Sequence, residues 1–595
     1  MDKKSILALI LIAVVIILMP YYQRIIMGDR PQEQQAQVKP DTLVQTTTEK
    51  KPVVESKSVN MDESAANKKA ARPEQREPKE NTVETLVKIK QDSSEKEVTI
   101  ETDRILVQIS NKGGGSLKKY ILKKYTKYDS SYVNMISPEI KNNLYLGFQD
   151  NTGEFIEANN YLFFTENTIE KKYLKEGERF KIRYTLNIAG GELQKTYIFY
   201  NDKYHFDVVV KFSRPNQMLL NNTYRFGWVN GLPSTESYVE DDNNYNQVNI
   251  YIGDELEQFN ITDKGRTPEV SLTGRADWFA IRTKYFLAAV SNVNANVDDG
   301  VYYSGLGIQR QDYVQRLYDV GFNVRETSGG QADTMRIYMG PLDHKELKAY
   351  DNNLDLLILN NGWYERTFRF FSLIILQVLE FMHGFIPNYG IVIIIFSILI
   401  KLIVYPLTKK SYQSMKEMQK IQPLVQELKE KYKGDPQRMN KEMMKLYKEH
   451  GVNPMGGCLP MLLQMPLLFA LFIVFRSTIQ LRGAMFIPGW IEDLSRSDTL
   501  FHLPFSLPFY GNEFNLLPIL MAITMIFQSK MTMQDPKQKA MVYAMPVFML
   551  LIFNRFPSGL NLYYTLFNLL TIVQQKFIHT EEKAPDPGLK KKKKK

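Results

Sequence analysis

Residues 388–408, NYGIVIIIFSILIKLIVYPLT, form an apolar run of membrane length interrupted by one basic residue, Lys401. At about 1.5 Å per residue a helix over this run reaches roughly 30 Å, the hydrocarbon thickness of a bilayer. The stretch reads as a spanning helix with an ammonium group inside it. Pro406 is expected to break the helix near its exit end, leaving Lys401 about one and a half turns inside. Ser397, Lys401 and Tyr405 recur at four-residue spacing, which assigns their polar tips to one face. On this stretch alone two readings of Lys401 stay open. Its stem snorkels to the headgroups, or its charge lines a hydrated cavity that receives something acidic.

The chain has 595 residues and a formal net charge of +10, which suits contact with anionic lipid or nucleic acid. A mean hydropathy of -0.29 is too polar for a chain that lies wholly in a membrane, so a large soluble part must be joined to the apolar one. The one cysteine, Cys458, excludes an intrachain disulfide and a cysteine zinc site. Six scattered histidines offer no H-E-x-x-H cluster, and no cofactor is expected.

Lys3 and Lys4 precede the apolar run Ile6 to Met19, which lacks a small-x-small cleavage pattern after it. Residues 1–27 read as an uncleaved signal anchor with a cytoplasmic N-terminus and an exported chain behind it. Residues 28–85 read as a disordered linker, because no aromatic residue occurs between Tyr22 and Tyr120 and the segment has little to bury. Over residues 86–356 the period changes to two, in runs such as KTYIFY and HFDVVVKF, which predicts a large exported antiparallel β-sandwich. Carbohydrate-processing enzymes also use such sandwiches. Here His205 and His344 are isolated, and EDDNN at 240–244 reads as a solvated loop, so no residue set in this domain identifies a reaction.

Residues 357–387 are apolar but place Glu365, Arg369, Ser372, Glu380 and His383 near one helical stripe, the pattern of an amphipathic helix in the membrane interface. Four further spans are expected at 459–481, 515–531, 541–556 and 558–578. With the anchor these make six, of which five form a core over 388–578. The charge pattern agrees: residues 407–452 hold eleven Lys or Arg and residues 482–514 hold two, so the former are assigned to the cytoplasm. The fold class expected is a multidomain α+β membrane protein.

Polar residues recur inside these spans. Thr524 and Gln528 lie four apart, and Tyr564, Asn568, Thr571 and Gln575 follow the 4, 3, 4 spacing of one helical face. Gln464 adds an amide near the start of its span. Ordinary helix-helix hydrogen bonding explains any one of them. Polar stripes on three helices together with a lysine are better explained by a shared hydrated interior. The cytoplasmic segment 407–452 reads as a helical hairpin turned at Gly434-Asp435-Pro436, with Asp capping and Pro opening the second arm. Met415, Met418 and Met443 lie on its apolar stripe, either as the seam between the arms or as an adaptable surface for client chains.

Lys401-x4-Pro406-Leu407-Thr408, the basic hairpin, Asn453-Pro454-Met455-Gly456-Gly457-Cys458-Leu459-Pro460, Gln464-Met465-Pro466 and Phe556-Pro557-Ser558-Gly559-Leu560 with Tyr563-Tyr564 occur in this order, and the chain resembles the YidC membrane-protein insertases essentially throughout. One departure is that the family's usual groove arginine is Lys401 here, which keeps the charge but loses the bidentate fork. The resemblance implies an insertase and chaperone of the bacterial inner membrane that uses neither ATP nor metal. It implies a hydrophilic groove in which Lys401 attracts the acidic or polar tail of a client, with Ser397 and Tyr564 on its path and Thr524, Gln528 and Asn568 lining it. The partners implied are nascent membrane proteins, the Sec translocon and its accessory subunits, and ribosomes targeted by the signal recognition particle. The basic tail at 579–595 suits ribosomal RNA or anionic lipid. A transporter in which Lys401 binds a small anion is the competing reading, and no pair of matching broken helices supports it.

Overall fold

The computed structural model describes residues 89–137, 143–188, 190–311, 313–326, 331–452, 459–507, 510–532 and 539–577. The expected signal anchor, the linker, the motif at 453–458 and the basic tail lie outside the described residues, as does the side chain of Gln464.

The two-residue period builds three sheets. An eight-stranded antiparallel sheet runs in the order Glu255–Phe259, Gln247–Ile252, Ala276–Arg282, Phe286–Asn292, Asp333–Pro341, His205–Phe212, Gly191–Tyr200 and Arg179–Ile188. A six-stranded antiparallel sheet has Val301–Gln309, Val314–Arg325 and Thr223–Trp228 at its middle. A five-stranded sheet is antiparallel except where Lys171–Tyr173 joins Glu97–Glu101 in parallel. Alternation explains how they meet. Phe206 and Phe212 are six residues apart in one strand and so share a face. Phe206 reaches Tyr120 of the five-stranded sheet at 6.1 Å between ring centroids, and Phe212 reaches Phe148 of the six-stranded sheet at 5.4 Å. Both smaller sheets thus lie on the same face of the large one. Buried Val, Ile, Leu and aromatic side chains fill the space between.

One carboxyl in this domain makes its stability sensitive to neutral pH. Burial and the nearby Glu326 carboxylate raise Asp333 to about 7, although the Tyr224 hydroxyl donates to it at 2.6 Å and opposes the rise. Between the ordinary aspartate value, about 3.9, and that raised value the folded chain holds a proton that the unfolded chain has released. Stability therefore falls as pH rises through this window and levels above it. The thermal unfolding midpoint of the β-rich domain should drop between pH 5 and pH 8, and Asp333→Asn should flatten that slope.

The EDDNN stretch is not a solvated loop. It forms a short helix, α1, Val239–Tyr245, in which Asp242 and Asn243 are buried. The expectation failed because the groups that bury and pair it come from distant parts of the chain. Burial alone would raise the Asp241 carboxyl, but the charges of Arg476 and Lys284 outweigh it and hold the group well below the usual carboxylate range.

From residue 363 onward the described residues hold seven α-helices: α2, Trp363–His383; α3, Tyr389–Lys431; α4, Pro436–Glu449; α5, Leu459–Ser477; α6, Leu516–Thr532; α7, Lys539–Phe553; and α8, Ser558–Phe577. In α2 the polar stripe does not face water. Glu365 and Ser372 are buried, and the Ser372 hydroxyl donates to the backbone oxygens of Phe368 and of Ala470 in α5. Phe370, Phe371, Ile374 and Phe381 are exposed, beside the exposed polar side chains Arg366, Thr367 and Gln377. Glu365 and Ser372 thus meet protein while several aromatic side chains of the same helix face outward.

The window Tyr389–Pro406 is long and apolar enough to cross a membrane, and 465–477, 516–531 and 542–553 are shorter apolar helices. Pro406 does not end the first of these. Helix α3 continues through Pro406 and Pro423 for 43 residues. Pro406 removes the N–H that would donate to the Leu402 oxygen one turn earlier, and the helix carries on despite that loss. Two residues later the Thr408 hydroxyl bonds back to its own helix, 3.0 Å from the Val404 oxygen and 3.1 Å from that of Tyr405. Asp435 caps α4 by accepting from the Arg438 N–H at 3.0 Å.

Between α7 and α8 the turn Phe556-Pro557-Ser558-Gly559 is held under the loop that follows α5. Gly559 N–H donates to the Leu494 oxygen at 3.0 Å, and a Cβ on Gly559 would stand 3.2 Å from that same oxygen. A side chain at this position would have to push that loop back by a few tenths of an ångström.

Candidate functional site

The polar groups expected inside the spans converge on α8, which runs beside both α3 and α6. Lys401 is buried, with 6% of its surface exposed. Its Nζ donates to Thr571 Oγ1 at 2.7 Å and stands 4.2 Å from the centroid of the Phe567 ring and 5.9 Å from that of Tyr412. Among the described residues it meets a hydroxyl and two ring faces and no carboxylate. Ring quadrupoles and one hydroxyl offset part of the cost of burying an ammonium but do not neutralise it.

Farther along the same interface, Gln574 Nε2 donates to Thr408 Oγ1 at 2.9 Å. On the other side of α8, Asn568 Nδ2 donates to Thr524 Oγ1 at 3.3 Å, and that hydroxyl donates to the Met521 oxygen at 2.8 Å. Helix α8 thus meets α3 through Thr571 and Gln574 and α6 through Asn568.

The remaining expected residues are placed differently. Ser397 is fully buried and its hydroxyl donates to the Ile393 oxygen of its own helix at 2.7 Å. Tyr564 packs its ring edge-on against Phe553 and Tyr563, with a buried hydroxyl. Gln528 is half-buried on α6. Tyr405 leaves the Lys401 face and is 42% exposed. Four-residue steps drift by about 40° each on a 3.6-residue helix, whereas a seven-residue step drifts by only about 20°. The face that carries Lys401 accordingly continues through Thr408 and Tyr412, seven and eleven residues on, both buried.

Sequence reasoning did not assign Thr571, Phe567, Thr408 and Gln574 to the site. Thr571 was legible as a member of the α8 stripe, and Thr408 as the residue seven after Lys401. Phe567 carried no signal, because an aromatic residue in an apolar helix is ordinary.

In the hairpin formed by the far end of α3 and by α4, Met443 is buried with Val425 and Met439 and belongs to the seam between the arms. Met415 and Met418 are half-buried. A cleft of about 270 Å³ opens beside this seam, with Leu424, Leu428 and Leu446 at its floor and Glu427, Lys431 and Lys445 among its walls.

The end of the helical core that meets the β-rich domain is joined to it by buried charges. Arg476, in the last turn of α5, donates through Nη2 to Asp241 Oδ1 at 2.5 Å, and Lys284 Nζ lies 2.8 Å from Asp241 Oδ2. Arg482 Nε meets Glu236 Oε1 at 2.7 Å, and Gln480 Nε2 donates to Asp343 Oδ2 at 3.3 Å.

Apolar helices that enclose a buried cation, hydroxyls and amides, joined at one end to a large β-rich domain, define a membrane protein with a polar-lined helical core. Comparison with known proteins carries this further. A family model described as 60Kd inner membrane protein matches residues 381–585, and one described as YidC periplasmic domain matches residues 97–372. The chain is 35% identical over 499 residues to the membrane protein insertase YidC of Chlorobaculum parvum, covering 82% of this chain and 84% of the relative. It is 37% identical over 497 residues to that of Pelodictyon phaeoclathratiforme, covering 83% and 84%. The chain belongs to the YidC membrane protein insertase family. A crystal structure of an active YidC insertase with its first transmembrane domain resolved aligns with 20% identity and a TM-score of 0.33, over 82% of this chain and 93% of that one. A galactose mutarotase related enzyme from Lactobacillus acidophilus aligns over 41% of this chain at 13% identity and a TM-score of 0.27.

Proposed function

We propose that this protein inserts integral proteins into the bacterial inner membrane and helps them fold, and that Lys401 receives the acidic or polar tail a client must export. One observation carries the reading: a buried ammonium faces a hydroxyl and two rings with no counter-charge among the described residues. An ionisable group inside a membrane is costly unless it is paired or hydrated, so this geometry favours an anion arriving from outside the chain. Lysine serves as a point charge here, without the fork an arginine would offer.

In this reading the chain spans six times, with both termini in the cytoplasm and an exported β-sandwich after the first span. Lys401, Ser397, Thr524, Gln528, Tyr564 and Asn568 line a hydrophilic groove. Hydrating a client's tail part-way across lowers the cost of bringing polar backbone into hydrocarbon, and the client's own apolar helix then partitions into lipid. Insertion thus needs no cofactor. Met415 and Met418 on the hairpin suit contact with an emerging apolar segment, whereas Met443 would have to leave its seam to do so. The Sec translocon, its accessory subunits, ribosomes delivered by the signal recognition particle, and anionic lipid complete the set of proposed partners.

Photocrosslinkers placed in turn at Ser397, Lys401 and Tyr564 should capture the nascent chain during synthesis of a short membrane protein. If none of the three does so, the groove reading fails.

A further inference from the structure

Between α5 and α6 the chain forms a two-stranded hairpin, Thr499–Leu507 paired with Gly511–Asn515. The inner strand is fastened to the helical core. Asn554, at the end of α7, donates from Nδ2 to the Tyr510 oxygen at 3.0 Å and the Glu513 oxygen at 2.9 Å, and Asn515 Nδ2 donates back to the Asn554 oxygen. The Asp498 carboxylate accepts from Leu516 N–H at 2.9 Å and Leu517 N–H at 2.7 Å, locking the base of the hairpin to the first turn of α6.

The outer strand has the opposite character. Residues 499–507, TLFHLPFSL, contain no Asp, Glu, Lys or Arg. Phe505 is 58% exposed and Phe501 51%, with Leu500 and Leu507 exposed beside them. Edge strands that face water are usually defended by charge. This one carries only Pro504, which hinders pairing with a further strand, together with a register irregularity between His502 and Leu507. Those features disfavour a second protein strand at this edge and leave its apolar side chains to another partner.

We propose that the strand Thr499–Leu507 is an anchor in the outer leaflet, with Phe501, Phe505 and Leu507 seated at the level of the lipid headgroups and carbonyls. This rests on the membrane-spanning reading of α6. Continuity identifies the bilayer as the occupant. Asn515, the last residue of the strand paired with Thr499–Leu507, passes directly into α6, whose Leu520, Ile523 and Phe527 are exposed apolar side chains, so the hairpin stands at the end of an apolar helix. The backbone edge, unpaired among the described residues, sets the depth. Hydrocarbon offers it no hydrogen-bond partners, whereas the hydrated interface does, and aromatic side chains favour that zone.

The test uses the full chain in vesicles of phosphatidylethanolamine and phosphatidylglycerol. Cys458→Ser removes the one native cysteine, and nitroxide labels are then placed in separate variants at Phe505→Cys, Leu507→Cys, Phe527→Cys and, in an exposed turn of the β-rich domain, Asp254→Cys. Collisional relaxation by oxygen is compared with that by a water-soluble nickel chelate. Oxygen should dominate at 505, 507 and 527, and nickel at 254. Nickel dominating at 505 and 507 while oxygen dominates at 527 overturns the anchor and leaves the span intact. Nickel dominating at 527 instead removes the spanning reading beneath it. Immobilised labels at 505 and 507 shielded from both reagents would mark a protein partner and also overturn the anchor. Using two labelled positions guards against one variant that fails to fold.

Discussion

Lys401→Glu should reduce insertion of a client with an acidic exported tail by tenfold or more, measured as protease-protected product in proteoliposomes. The same variant should leave a client with an uncharged tail within a few-fold of wild type. Two unit charges 4 Å apart interact by about 4 kcal/mol at an effective dielectric of 20, and tenfold corresponds to about 1.4 kcal/mol. Reversing the sign therefore has more than enough energy behind it even after generous screening. Lys401→Arg keeps the charge and should stay close to wild type for both clients. Equal losses for acidic and uncharged tails would mean that the ammonium serves packing beside Thr571 and Phe567 rather than recognition.

The second large effect concerns folding. Asp241→Leu would leave the Arg476 guanidinium and the Lys284 ammonium buried together without their shared carboxylate. Removing one partner from a buried pair costs about 3–5 kcal/mol, because the remaining charge keeps its desolvation penalty. Thermal unfolding of the full chain in detergent should register that loss. Lys445→Ala, which removes an exposed partner 4.0 Å from Glu449 on α4, should change stability by less than about 1 kcal/mol. The pH dependence has a definite sign. The folded Asp241 carboxyl is held below its unfolded value, so its contribution is fully present above about pH 4 and is lost only as pH falls through the lowered value. Comparable midpoints for Asp241→Leu and Lys445→Ala would show that the junction contributes little to holding the domain in place.

What the sequence could reveal depended on how locally each feature was encoded. The membrane-length run with Lys401, the alternating β runs and the α8 stripe are periodic signals within one element, so they were legible. The pairing of Asp241 with Arg476 joins residues 235 positions apart, and no local pattern announces it. EDDNN looked like a solvated turn for the same reason, and the Glu365 stripe on α2 looked like a water-facing one. Pro406 misled because intrinsic helix-breaking was outweighed by the surrounding structure, and α3 continues through it. Tyr405 misled because a constant four-residue step slips around a 3.6-residue helix. The polar spacing on α6 and α8 predicted faces, but only the packing of the two helices revealed that Asn568 meets Thr524.

The unbroken course of α3 has a mechanical consequence. Its 43 residues make a rod of roughly 65 Å that carries the Lys401 ammonium partway along and ends in one arm of the basic hairpin. A tilt of that arm is therefore carried along the rod toward the stretch that bears Lys401, unless it is taken up at Pro406 or Pro423, which each lack a backbone donor.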